Sequence, residues 1–576
     1  MPKSFKNLFM SLKNYINIQD FLPFLSWLKD YDKSKLYKDF IAGITVAIIL
    51  IPQVMAYAIL AGLPPVYGLY AAFLGTAVAS LWGSSRHLST GPAALVSFLV
   101  LTALVPIATP ESPEFIALAI ILALIIGLIQ LLMGIFKLGF IMNFISHSVI
   151  SGFTTAAAII IAATQIPSLF GFTVEKHEYV FLNFYEIIKS IPNTNLLTLT
   201  IGLISVILII SAKRRFSKAF PISLIVMIIG ILLSFLLNFE ARNVAVIGEI
   251  DANLRLPSIP KLSVGNILEL LPSALIIAII GFLEGYAISK AICHKSKQKI
   301  DINQELVGQG LGNIASSIFK GYPIAGSFSR TAVNYAAGAA TGFSSVFVSL
   351  FVLLTILFLT PLLQFLPKAI LSAVVISALV DLIEFSKFRE TFNLSGTDGI
   401  VISLTFLFSF ILKPDDAIFI GIVVSLVLFL RKTIVADVVE LVFVMEEERF
   451  KQITFGTELK VFPNILILRI DMSIFFANAN NIVEQISEFV NQRGEDLEHL
   501  VINFSGVNYV DVSGCEILNE YFEELWEQDI KIYSMYRKKQ VRDIMRRSGM
   551  QDKLIMLHDI KGFKKEFIIQ KNKNFK

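Results

Sequence analysis

GSSRHLSTGPAALVSFLVLT, residues 83–102, is the stretch whose reading decides the architecture. It reads as an extended segment that turns into a helix at Gly91-Pro92, inside a strongly hydrophobic chain. Proline is favoured at the first helical position because its missing N–H needs no partner there, so a helix is expected from Gly91 to residue 107. At about 1.5 Å per residue that helix covers roughly 25 Å, short of the roughly 30 Å hydrocarbon core of a bilayer. A helix that begins partway across a membrane leaves free N–H groups and the positive end of its dipole there. Such an end is an anion site made from backbone. Gly91 and Pro92 are therefore candidate binding residues.

A second stretch repeats the device. SFSRTAVNYAAGAAT, residues 327–341, follows the breaker-rich KGYPIAG and would cover roughly 22 Å as a helix. Its Ala, Gly and Ser content permits close helix packing. It opens with Ser327, Phe328, Ser329 and Arg330, which puts two hydroxyls and a cation at the positive end of the helix. Two short, Gly/Pro-flanked hydrophobic segments in different halves of a chain point to the binding site of a secondary transporter.

Composition agrees. The 576 residues are 55% hydrophobic and 16% charged, with a mean hydropathy of +0.70. These values exclude an ordinary soluble domain and call for many spans. Lys3, Lys6, Lys13, Lys29, Lys33 and Lys35 flank no compact apolar core, so no cleaved leader is expected. The formal net charge of +4 does not suggest a nucleic-acid partner. The two cysteines, Cys293 and Cys515, read as small buried hydrophobes rather than metal ligands. No Walker motif and no H-E-x-x-H occurs, so neither an enzyme nor an ATP-driven pump is expected, and no cofactor or metal.

Fourteen hydrophobic segments follow a polar stretch at 1–37, in which FLPFLSWL (21–28) reads as an interfacial amphipathic patch. They lie near 38–61, 66–82, 91–107, 114–136, 142–165, 196–212, 220–238, 267–291, 303–319, 327–341, 344–361, 366–383, 396–413 and 416–434. Lys213, Arg214, Arg215 and Lys218 cluster in one short loop, and Lys290, Lys295, Lys297 and Lys299 in another. With a cytoplasmic amino terminus both clusters fall inside, as the positive-inside rule requires. Seven spans per half make the halves inverted relative to each other, so the third segment of each can present its positive end near the midplane. Pro52, Pro64 and Pro65 are expected to kink or end the first span. Gly308, Gly310 and Gly312 read as a close-packing face, and Asn334 as an interhelical hydrogen-bonding residue.

Beyond residue 434 strands and helices alternate. ILILRI, LVINFSG and IKIYSM read as strands, and 478–490, 513–526 and 538–547 as helices. The expected organisation is an amino-terminal segment 1–37, a membrane region 38–434, an α/β domain 435–560 and a basic, mobile tail 561–576.

IPQVMAYAILAGLPPVYGLYAAF (51–73), followed by GSSRHLSTGPAALVS (83–97), resembles the signature of the SulP anion permeases. The carboxy-terminal domain with NYVDVSG (508–514) resembles their STAS domain. The resemblance covers almost the whole chain. It implies an α-helical membrane protein of 14 spans, arranged as a 7+7 inverted repeat with core and gate domains and a cytoplasmic STAS domain. It further implies an elevator-like movement, a homodimer, and STAS docking of a cytoplasmic protein partner. Both termini would be cytoplasmic, and the Lys- and Asn-rich chain without a long insert points to a bacterial inner membrane.

Carried onto this sequence, the resemblance adds Gln53, Tyr57 and Ala93 to the pocket, Ala93 standing where some relatives carry Phe and so leaving more room. Gln53 and the serines can donate hydrogen bonds to oxyanion oxygens, and Arg330 supplies charge and a bidentate edge. Glu284, in ALIIAIIGFLEGYAISK, is the expected coupling residue: a carboxylate in an apolar span needs a partner, water or a proton. Relatives place Glu near this position when proton-coupled and Asp in a sodium-coupled bicarbonate carrier. Glu284 thus favours protons, with sodium as the alternative, and Arg330 is its expected ion-pair partner. In the STAS domain Ser513-Gly-Cys-Glu516 reads as a capping box. Related anti-sigma antagonists carry a phosphorylated serine directly after the aspartate. Here Val512 follows Asp511, so no phosphoserine switch is expected.

The resulting expectation is a secondary active transporter of a small anion, sulfate by default, working by proton symport. A bicarbonate or dicarboxylate carrier with sodium coupling, or an uncoupled anion channel, is the alternative.

Overall fold

In the computed structural model the described residues are 22–28, 30–175, 177, 179–216, 220–248, 263–445, 447–453 and 462–569. The chain divides into two compact units, Met1–Leu426 and Val427–Lys576.

All fourteen segments expected from hydropathy carry a helix. In chain order these are α1 (Lys33–Leu60), α2 (Val66–Trp82), α3 (Ala94–Leu104), α4 (Pro113–Ile135), α5 (His147–Thr164), α6 (Leu196–Arg215) and α7 (Ile222–Leu237). Then come α8 (Val264–Ser296), α9 (Ile302–Ile318), α10 (Phe328–Ala336), α11 (Phe343–Leu354), α12 (Lys368–Leu379), α13 (Gly396–Ile411) and α14 (Pro414–Ile434). Among the described residues seven helical stretches are long and apolar enough to cross a bilayer, judged by length and composition.

Polar residues set the ends of these helices. Asp32 accepts from Lys35 N at 2.7 Å and starts α1 five residues before the expected boundary. Ser112, Ser146, Asn195, Ser263, Asp301 and Ser395 likewise accept first-turn N–H groups of α4, α5, α6, α8, α9 and α13. Pro52 does not end the first helix; α1 runs through it to Leu60, and the chain turns at Gly62 (φ 78°) before Pro64 and Pro65. The amino-terminal patch packs rather than lying free: Trp27 sits edge-on to Phe343, and Phe24 edge-on to Trp82. Phe21, Lys218 and the lysines at 3, 6, 13 and 29 lie outside the described residues.

α9 runs against α2 and α4 with little side chain between the backbones. A Cβ on Gly308 would lie 2.5 Å from Gly83 N, one on Gly310 2.6 Å from Leu131 N, and one on Gly312 2.7 Å from Ala79 Cβ. The expected close-packing face is therefore present, and only hydrogen fits there.

The second unit is a six-stranded sheet, with β3 (Val438–Val444), β4 (Arg449–Gln452), β5 (Ile465–Ile470), β6 (His499–Asn503), β7 (Lys531–Met535) and β8 (Ile555–Leu557). The order is β4-β3-β5-β6-β7-β8, antiparallel on the β4–β3–β5 side and parallel from β5 to β8. The helices α15 (Ala479–Arg493), α16 (Val512–Glu527) and α17 (Lys539–Arg547) cover one face through Ile482, Ile486, Leu518, Phe522 and Met545. β3 follows the end of α14 after residues 435–437 only.

Two expectations for this unit are corrected. The basic tail does not begin at residue 561: helix α18 (Ile560–Lys564) and the turns to Ile569 bury Phe563 and Phe567 against Phe443 and Tyr533 on the other sheet face. Ser513 is not the cap of α16. Asp511 is, accepting from Gly514 N at 2.7 Å and from Phe476 N at 3.0 Å. Pairing of Val510 with Ile474 holds the chain extended up to Asp511, so the helix starts at Val512 and leaves Ser513 exposed in its first turn.

Candidate functional site

The two short helices share one origin. Strand β1 (Thr90–Gly91) precedes α3, strand β2 (Ala325–Gly326) precedes α10, and the strands pair antiparallel, Thr90 opposite Gly326 and Gly91 opposite Ala325. Ser327 N extends the ribbon by donating to Ser89 O at 3.0 Å. The helices therefore leave a common crossing in opposite senses. α3 has 11 residues and α10 has 9, about 16 and 14 Å long.

Both are shorter than the sequence suggested: α10 starts as expected but ends at Ala336, before Gly338 turns the chain (φ 83°), and α3 starts late for a local reason. Pro92 disfavours helical geometry at Gly91, and the strand pairing keeps the chain extended through Ala93 (φ −129°, ψ 148°). Pro92 thus precedes the cap rather than opening the helix. Neither Ala93 nor Ser327 supplies a side-chain cap, so no capping side chain takes the first N–H groups of α3 and α10.

Arg330, in the first turn of α10, is wholly buried (0% exposed) and reaches across to the other entrance, donating from Nη1 to Pro92 O at 2.9 Å. Its Nε and Nη2 have no hydrogen-bond partner among the described residues. Gly91 makes room for this edge: a Cβ there would lie 3.3 Å from Nη2 and 3.4 Å from Thr76 Oγ1, itself buried and unpartnered.

The other expected residues divide. Gln53 and Tyr57 are buried on α1, and Gln53 Oε1 has no hydrogen-bond partner among the described residues. Gly91, Pro92, Ala93 and Ser327 are buried at the crossing, and Ser327 Oγ lies 3.5 Å from Ser329 Oγ. Ser329 itself is exposed, and Phe328 is 52% exposed, unlike the buried Arg330. Glu284 lies on α8 with Oε2 buried and without a hydrogen-bond partner among the described residues. It interacts with Arg330 electrostatically, but the expected ion pair is not formed.

Glu284 comes near the crossing because α8 meets β2 at glycines. Gly285 lies so close to Gly326 that a Cβ on Gly326 would be 2.6 Å from Gly285 Cα, and a Cβ on Gly281 would be 3.3 Å from Ala325 Cβ.

Sequence reasoning missed the residues that hold the crossing together. On α9, Glu305, Gln309 and Asn313 recur every fourth position, one helical face. Glu305 Oε2 accepts from Ser84 N (2.8 Å), Ser84 Oγ (2.9 Å) and Ser85 N (2.9 Å). Gln309 Nε2 donates to Thr90 Oγ1 at 2.7 Å. Asn313 Oδ1 accepts from Ile324 N at 2.8 Å, and its Nδ2 lies 3.1 Å from Ile324 O. The signal was a polar stripe on the face beside the glycines, where only the glycines were read. Tyr322 and Ser97 form a buried pair at 2.9 Å between the segment before β2 and α3. Asp39, fully buried, accepts from Ala340 N, Thr341 N and Tyr31 Oη and so ties the end of the α10 segment to α1. Asn334 donates to His87 O at 3.0 Å, the hydrogen-bonding role expected of it.

Residues 36–405 match the Sulfate permease family, and residues 457–564 match the STAS domain. The chain belongs to the sulfate permease family. Sulfate transporter 4.1, chloroplastic, of Arabidopsis thaliana is 33% identical over 92% of this chain and 80% of its own length. A probable sulfate transporter of Mycobacterium tuberculosis is 29% identical over 92% of this chain and 95% of that protein. Among solved structures, the murine Solute Carrier 26 family member A9 anion transporter in the inward-facing state matches with a TM-score of 0.88. That match has 24% identity and covers 95% of this chain and 93% of the other. The transmembrane domain of the cyanobacterial bicarbonate transporter BicA matches with a TM-score of 0.57 and 25% identity, over 69% of this chain and 98% of that one. The permease is thus a multi-pass membrane transporter of anions with a carboxy-terminal STAS domain, and its family is one of transporters rather than enzymes.

Proposed function

We propose that this permease is a secondary active carrier of a small oxyanion, sulfate first, that binds where the entrances of α3 and α10 meet. The observation that carries this reading is Arg330. A buried guanidinium with one carbonyl acceptor and a free Nε/Nη2 edge is costly unless an anion completes it. That edge has the geometry of a bidentate oxyanion partner. The uncapped first turns of α3 and α10 add N–H donors and two positive dipole ends. Gln53, Tyr57 and the Ser327 hydroxyl border the anion, and the small Ala93 leaves room for it.

Glu284 is the coupling residue in this proposal. A proton taken up with the anion offsets its charge, which makes symport with a monovalent anion electroneutral. The fourteen helices are read as spans in two inverted halves, in keeping with the antiparallel crossing of β1 and β2. The core carrying the crossing moves against the remaining helices, elevator-fashion. The working unit is a homodimer in a bacterial inner membrane with both termini inside, and the STAS domain serves as a scaffold or docking module. The likeness to BicA favours bicarbonate as the second substrate to test; fumarate stands for the dicarboxylates.

The test is uptake into proteoliposomes of purified protein with an imposed inward proton gradient. Sulfate, bicarbonate and fumarate compete at two pH values. Gradient-driven accumulation of one of them supports the reading; equilibration without accumulation under proton and sodium gradients alike indicates a channel and refutes it.

A further inference from the structure

A chain of buried side-chain amides links the helix of Glu284 to the entrance of Arg330. Ile324, directly before β2, is held at both backbone groups by Asn313 of α9, its N–H donating to Oδ1 and its carbonyl facing Nδ2. Asn313 Nδ2 also donates to Gln130 Oε1 on α4 at 3.0 Å. Gln130 Nε2 donates to Ala278 O on α8 at 2.9 Å. Asn313 is 0% exposed and Gln130 2%. Each amide is satisfied in one orientation only: turning Asn313 over would set its NH2 against the Ile324 N–H, two donors facing each other. The chain therefore runs one way, from Ile324 N–H to Ala278 O, and crosses four elements.

Its two ends sit where placement matters. Ala278 is six residues before Glu284, and Ile324 six before Arg330. The glycine contacts of Gly281 and Gly285 with Ala325 and Gly326 bring α8 up to β2, yet smooth glycine faces do not stop one element sliding along the other. A directional hydrogen bond does, since an axial slip of one residue exchanges carbonyls for gaps. Side-chain amides between apolar helices serve this purpose at modest cost.

We propose that Gln130 and Asn313 are positioning residues: they fix the axial register of α8 against β2 and so set where Glu284 stands relative to the Arg330 entrance. This rests on the anion-site reading above, and Arg330→Met in the same assay separates the two. If Arg330→Met leaves binding intact, the site reading fails; if Arg330→Met abolishes binding while the amide variants bind normally, the positioning role fails.

The measurement is equilibrium binding and proteoliposome uptake with sulfate as probe, bicarbonate and fumarate in parallel. Replacing both amides, Gln130→Leu with Asn313→Leu, releases the register but leaves Ile324 N–H without its acceptor, so the variant is expected to be less stable than the parent as well. Binding is expected to weaken about tenfold, with KM rising, and the unfolding temperature to fall by several degrees because Ile324 N–H is left unpaired. Should the double variant fail to fold, the exchange Gln130→Asn with Asn313→Gln decides, because it preserves the summed reach. Each single change is expected to weaken binding, and the pair together to recover most of it. Unchanged KM in the double Leu variant, or singles that bind as the parent, overturns the proposal. So does an exchange pair no better than its singles.

Discussion

Replacing Arg330 by Met should abolish anion binding and leave the fold intact or firmer. Within the protein the guanidinium makes one hydrogen bond, to Pro92 O, and its Nε/Nη2 edge has no acceptor among the described residues. Removing a buried charge that the protein leaves unpaired is neutral or stabilising in the empty state. An oxyanion held on that edge would gain two charge-assisted hydrogen bonds of about 1.5–3 kcal/mol each, together roughly 3–6 kcal/mol. At about 1.4 kcal/mol per tenfold, Arg330→Met should weaken binding by roughly two to four orders of magnitude. Arg330→Lys keeps the charge but loses the paired geometry, so a loss of about 2 kcal/mol, roughly thirtyfold, is expected. Titration of sulfate, bicarbonate and fumarate into purified protein reads the affinity, and thermal unfolding without anion reads the fold. A Met variant that binds normally but unfolds several degrees early would falsify the reasoning, because Arg330 would then be a structural residue tied to Pro92.

Glu284→Gln should flatten the pH dependence of uptake while anion binding persists, since an amide does not titrate and so cannot take up and release a proton with the anion; unchanged pH dependence excludes Glu284 as the coupling group. Gly326→Ala sets a Cβ 2.6 Å from Gly285 Cα, so α8 has to back away, at a cost of about 1–3 kcal/mol. Transport should fall sharply, and near-normal uptake would contradict the contact between α8 and β2. Glu305→Ala leaves the N–H groups of Ser84 and Ser85 without their acceptor and should cost about 3 kcal/mol, seen as a lower unfolding temperature, whereas Glu305→Gln should cost less. In the full-length protein Asp511→Ala should weaken hydrogen-exchange protection in the first turns of α16 by about 1 kcal/mol, with Ser513→Ala near neutral. The reverse order would restore Ser513 as the cap.

Much of this permease was legible in its sequence because hydrophobic runs and helix periodicity are local properties. The fourteen apolar segments, the strands ILILRI and IKIYSM and the two short helices flanked by glycine and proline could all be placed. The pairing of β1 with β2 could not, since two-residue strands have no period and their partners lie 236 residues apart, Thr90 to Gly326. That pairing is what delayed the start of α3, moved Pro92 out of the first turn and left Ala93 and Ser327 as caps without a side-chain bond, whereas α10 lost its far end where Gly338 turns the chain (φ 83°). Arg330 was visible as a charge in a hydrophobic stretch, but its acceptor, Pro92 O, belongs to the opposite entrance. The expected Glu284–Arg330 ion pair is not formed: the two residues lie on different elements, α8 and α10, and how those elements approach does not follow from spacing along the chain.

Residue types therefore determined which segments enter the lipid and which side chains are costly to bury there, because transfer from water depends on each group's own chemistry. Tertiary structure alone decided which costly groups meet. Glu305, Gln309 and Asn313 look like ordinary polar residues of one helix until the chain folds and each finds a different part of the ribbon within hydrogen-bond reach. Hydrogen bonds are directional and act over about 3 Å, so their partners follow from coordinates and not from spacing along the chain.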